Sequence, residues 1–89
     1  MKAIVTVLGR DRVGIIASVC ALLSEYNINI LDISQTILDD IFSMTMLTSL
    51  DPEAADFNTV QEKLEAVGKD LGVQVIIQRE DVFQYMYKI

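Results

Sequence analysis

The residues best suited to chemistry stand together in one short segment, Gly9-Arg10-Asp11-Arg12-Val13-Gly14-Ile15, where a run of strand-forming residues gives way to a helical period. The start of a helix exposes unpaired backbone N–H groups and the positive end of the macrodipole, so a carboxylate or phosphate can dock there. Gly14, lacking a side chain, lets such an anion come close. Asp11 can accept hydrogen bonds from an ammonium group. An anion site beside a carboxylate suits the zwitterion of an α-amino acid. Arg10 and Arg12 either assist or are simply solvated. Each residue also has an ordinary structural use: Asp11 as a helix cap, Gly9 and Gly14 as turn or helix–sheet packing positions. The loop by itself leaves the choice open.

Composition removes several other chemistries. The 89 residues contain no His and a single cysteine, Cys20, which excludes an internal disulfide, a multi-cysteine zinc site and a near-neutral imidazole base. Cys20 falls mid-helix and is expected to be an inert core residue. Met44 and Met46, at alternate strand positions with no Cys or His beside them, read as core and not as a soft-metal site. Asp39-Asp40 and the acids from Asp51 to Asp56 read as solvated turns. No metal site and no cofactor is expected. Seven basic against thirteen acidic residues leave a net charge of −6, which repels a phosphate backbone, so direct nucleic-acid binding is not expected. The start, Met1-Lys2-Ala3, leads straight into a strand pattern, and no run of 18 apolar residues occurs. The expected location is therefore a reducing cytoplasm, with no membrane partner.

Six elements must position the loop. Ala3 to Leu8 is apolar on both faces, as an inner strand is. From Val13 to Tyr26 the period changes: Ile15, Val19, Leu22 and Tyr26 line one side of a helix, and Ile16, Cys20 and Leu23 widen the stripe. Asn27 ends that helix. Ile28 to Leu38 and Ile41 to Leu50 read as strands about a tight turn at Asp39-Asp40, with Phe42, Met44 and Met46 on one face and Ser43, Thr45 and Ser49 on the other. Asp51-Pro52 stops the third strand. Phe57, Val60, Leu64, Val67 and Leu71 then mark a second amphipathic helix. Gly72 suits the left-handed position after it, and Val73, Val75 and Ile77 alternate with Gln74 and Gln78 in a fourth strand. Val82, Met86 and Ile89 share one side of a short helix expected over Asp81 to Ile89.

The order is βαββαβ, an α+β ferredoxin-like sandwich in which right-handed crossovers put both helices on one face of a four-stranded antiparallel sheet. At 89 residues there is room for one domain, spanning 1–89. So small a chain is marginal alone, and 52% of its residues are hydrophobic. A second copy, making a homodimer, is the expected cover for the open apolar surface.

The string Gly9-x-Asp11-Arg12-x-Gly14-Ile15 after a first strand, with Asn27-Ile28-Asn29-Ile30 opening the second, resembles the ACT domain. It is similar in particular to small stand-alone ACT-domain proteins of the type related to the glycine-cleavage-system transcriptional repressor. The resemblance spans the whole chain. It departs at Val13, where the family commonly has proline; proline there only pre-sets the first helical turn. The resemblance implies a regulatory module, not an enzyme, whose paired subunits bind an amino acid between the first βα loop of one and the start of the second strand of the other. Carried onto this chain, the ligand-binding residues are Asp11, Arg12, Val13, Gly14, Ile15 and Asn29. The Asn29 amide offers donors and an acceptor, although Asn at a strand start also serves as a turn residue.

Two other readings remain. An acylphosphatase-like hydrolase shares the element order and would use Arg10 or Arg12 in an anion cradle with Asn29 orienting water. Its loop pattern is missing, and Asp11 would repel the phosphate. An adaptor that binds no small molecule and regulates a partner protein is the other. RNA-binding and copper-chaperone relatives of the architecture are excluded by charge, by the lack of exposed aromatic platforms and by the lack of paired cysteines.

Overall fold

A computed structural model describes residues 1–10 and 14–81. The elements are β1 (Lys2–Arg10), α1 (Ile15–Glu25), β2 (Asn29–Leu38), β3 (Ile41–Ser49), α2 (Phe57–Leu71) and β4 (Gln74–Arg79), in the expected βαββαβ order. The sheet is antiparallel throughout, in the order β2-β3-β1-β4. β1, apolar on both faces, is accordingly an inner strand. The helix expected over Asp81 to Ile89 falls beyond residue 81, outside the described residues.

Period-2 alternation sends one set of side chains to the helices: Ala3, Val5 and Val7 from β1, Phe42, Met44 and Met46 from β3, Val75 and Ile77 from β4, all buried. They meet Ile15, Val19, Leu22 and Leu23 of α1 and Val60 and Leu64 of α2 in a common core. Burying a side chain such as Leu64 contributes about 1.5 to 3 kcal/mol. The same alternation carries Thr48 into the core, where its hydroxyl donates to the Ala3 carbonyl at 2.8 Å, so the buried polar group is satisfied. The stripe of α1 is narrower than its sequence suggests. Ile16 is 39% exposed and Cys20 only half-buried, so the buried stripe is confined to Ile15, Val19, Leu22 and Leu23.

The helix ends follow from local chemistry. Asp56 caps α2, its carboxylate accepting from the Thr59 N–H and hydroxyl, both at 3.2 Å. Gly72, at φ 71°, closes α2, with the Val73 N–H returning to the Gly68 carbonyl at 2.9 Å. Asn27 does the same for α1 without being glycine: at φ 56° it donates to Ser24, while the Ile28 N–H reaches the Leu23 carbonyl at 2.9 Å. The chain thus reverses sharply and delivers Asn29 to the start of an outer strand. Asp39, at φ 58°, makes the expected tight turn between β2 and β3.

Candidate functional site

Of the six candidate ligand residues, Asp11, Arg12 and Val13 lie outside the described residues. Gly14 occupies the N-cap of α1 at φ 93°, and the Ser18 N–H returns to its carbonyl at 2.9 Å. Glycine is therefore favoured there by backbone conformation. Glycine has no side chain with which to cap the helix, and among the described residues nothing lies within 4 Å of where a Gly14 Cβ would stand. Ile15 is 2% exposed and belongs to the core, so its side chain is not presented to a ligand. Arg10, at the end of β1, is exposed and lies 3.8 Å from Asp40 in a surface ion pair. It is a solvated strand-end residue held to the β2–β3 turn.

Asn29 stands elsewhere. It begins β2 opposite Ser49, at the end of the sheet that carries Lys2, whereas Arg10 and the loop leave from the opposite end, beside Ile41. Gly14 and Asn29 are also separated by the whole of α1, about 16 Å for its eleven residues. Within one chain the two halves of the candidate site do not meet.

Asn29 does line a cavity of about 450 Å³, together with Cys20, Ser24, Asn27, Ile28 and Ile30. Two amides and a hydroxyl give it donors and acceptors, and it adjoins the carbonyl-bearing C-terminal end of α1. Ser24 and Cys20 were not legible as site residues. Their i, i+4 spacing puts them on one side of α1, but only the left-handed turn at Asn27 brings the start of β2 beside that side. Among the described residues no group of three His, Cys, Asp or Glu side chains is placed to hold a metal ion. No described helix is long and apolar enough to cross a membrane.

The ACT-domain family model matches residues 2–78, nearly all of the described fold. The chain belongs to the ACT-domain family. It is 50% identical over 88 residues to a UPF0237 protein of Methanocaldococcus jannaschii, a match covering 99% of this chain and 98% of that one. Among solved structures it resembles an ACT domain protein from Streptococcus pneumoniae, with a TM-score of 0.81, 45% identity and 98% of each chain covered. It also resembles a putative glycine cleavage system transcriptional repressor, at TM-score 0.76 and 25% identity, over 86% of this chain and 44% of that one. The ACT domain is a regulatory, ligand-binding module.

Proposed function

We propose that the protein, a single ACT domain over 1–89, senses an amino acid at the boundary between two copies of itself. The ligand sits between the Asp11–Ile15 loop of one subunit and Asn29 of the other. The observation that carries this reading is the separation of the two halves in one chain. β2 is an edge strand, and antiparallel pairing of two β2 edges about a two-fold axis sets the start of one β2 beside the end of the other. The end of β2 lies at the same end of the sheet as the Gly14 loop. Such pairing therefore brings Asn29 of each subunit toward the loop of its partner.

The edge is suited to it. Leu31, Ile33 and Ile37 are 46%, 44% and 58% exposed along β2, an apolar margin that a second copy would cover. The Ile33 N–H is turned outward and held by its neighbour, the Asp32 carboxylate, at 2.9 Å. By alternation the Gln35 and Ile37 amides also face outward, available to a partner strand.

In the paired site the start of α1 at Gly14 and Ile15 receives the ligand carboxylate, Asp11 accepts from its ammonium group, and Arg12 and Val13 complete the wall. Asn29 hydrogen-bonds the ligand from across the boundary. A ligand seated between subunits binds the pair better than the separated chains, so it shifts assembly, or attachment to a regulated partner protein.

Calorimetric titration with glycine and the other common amino acids, each at fixed protein concentration, tests this. One amino acid should bind, and Asp11→Ala and Asn29→Ala should each abolish binding while leaving the circular-dichroism spectrum unchanged. No binding by any amino acid would overturn the sensor reading and favour an adaptor.

A further inference from the structure

The cavity at Asn29 has a lining that discriminates by chemistry and not by size. At about 450 Å³ it has room for any amino-acid side chain. Cys20 and Ser24 line it from α1, Asn29 and Ile30 from β2, and Asn27 and Ile28 from the turn between them. Ser24, Asn27 and Asn29 are exposed, and among the described residues none of their side chains is engaged in a hydrogen bond. No lining residue carries a carboxylate, ammonium or guanidinium group. Glu25, beside Ser24 in the helix, does not line the cavity. Asp32 stands opposite Leu47 on the face of the sheet turned away from the helices, where its carboxylate accepts from the Ile33 N–H at 2.9 Å.

We infer that this cavity receives the side chain of the bound amino acid and selects a primary carboxamide, that of asparagine or glutamine. A pocket of this kind rests on the shared-site reading: the loop of one subunit holds the zwitterion, while α1 and β2 of the other meet the side chain. A carboxamide carries two N–H donors and a carbonyl acceptor, the same set as Asn27 and Asn29, so it pairs reciprocally with either and keeps a donor or acceptor for the Ser24 hydroxyl. The other classes of side chain fit worse. A carboxylate would be set against the negative end of the α1 macrodipole with no cation among the lining groups. An ammonium or guanidinium group would give up its water beneath the covering subunit and find no carboxylate in return. An aliphatic side chain would turn Ser24, Asn27 and Asn29 toward hydrocarbon, and each would lose the hydrogen bonds it makes with water.

Calorimetric titration of the full chain with each common amino acid tests the selection. Glutamine, asparagine or both should bind, with glutamate, lysine and leucine weaker by about a hundredfold or more. Ser24→Ala and Asn27→Gly each delete one polar group from the lining, and glycine adopts the φ of 56° at the end of α1 without strain, so the fold is kept. Each variant should narrow the preference for the amide over leucine by about tenfold, read by competition. A merely structural disturbance weakens all ligands alike and leaves that ratio unmoved. An aliphatic or charged amino acid bound as tightly as the amides, or a ratio unchanged in both variants, overturns the carboxamide pocket and leaves the shared-site reading standing. No binding by any common amino acid overturns both.

Discussion

Two glycines of the chain resist alanine for opposite reasons, and replacing each separates the reasons. Gly14 sits at φ 93° with nothing within 4 Å of a Cβ among the described residues, so Gly14→Ala meets no clash and incurs only the cost of a left-handed backbone, about 1 to 2 kcal/mol. Asparagine visits that region more readily and is a good N-cap, so Gly14→Asn should recover most of the loss. Gly68 lies inside α2, where helix propensity alone would make alanine more stable by about 1 kcal/mol. A Cβ there would stand 2.7 Å from the Val73 carbonyl oxygen, a backbone atom, and the Val73 N–H is itself bonded to the Gly68 carbonyl at 2.9 Å. Neither side can withdraw without breaking the helix closure. Overpacking of about 1 to 3 kcal/mol should outweigh the propensity gain. Urea unfolding followed by far-ultraviolet circular dichroism, at one protein concentration, reads both. For a domain of this size each kcal/mol moves the thermal midpoint by about 4 to 8 °C. A Gly14→Ala protein as stable as the parent would refute the left-handed N-cap. A Gly68→Ala protein more stable than the parent would refute the close approach of α2 to β4.

Further substitutions test other parts of the fold. Asp56→Ala removes the side chain that caps the start of α2 and should cost about 1 kcal/mol by chemical denaturation, with Asp56→Asn close to neutral. Leu64→Ala opens a cavity at a fully buried position between α2 and the sheet and should cost about 2 to 5 kcal/mol; a loss below 1 kcal/mol in the same assay would contradict its burial. Gln35→Pro removes an outward amide of β2 without touching its ladder to β3. It should leave the chain folded but reduce its mass in sedimentation, whereas an unchanged mass would show that the edge is unpaired.

Much of this fold can be read from residue spacing, because each element carries a local signal that its tertiary setting respects. β1 is apolar on both faces and becomes an inner strand; Phe57, Val60 and Leu64 keep helical period and become the inner side of α2. The errors are at margins. Ile16 and Cys20 belong to the apolar stripe of α1 by sequence, yet a stripe cannot say how wide the facing surface is, and both are left partly exposed. Thr48 continues the inward parity of Phe42, Met44 and Met46, but its acceptor, Ala3, is 45 residues away and only the β1–β3 register supplies it. The site divides in the same way. Gly14 and Asn29 stand out by type and position, whereas Ser24, Asn27 and Cys20 gain meaning only from the reversal at Asn27 that sets them around one cavity. The distance between Gly14 and Asn29 is a property of helix length and topology, and no motif reports it.

The most direct test of a ligand site shared between subunits is complementation. Asp11→Ala and Asn29→Ala chains are purified separately, shown not to bind the amino acid that the parent binds, then mixed, allowed to exchange and titrated again. In a mixed pair one site has lost both residues and the other is intact, so binding should return with the parental affinity and a reduced number of sites. If the mixture exchanges subunits and still binds nothing, the two residues act from the same chain or not at all, and the shared-site account is wrong.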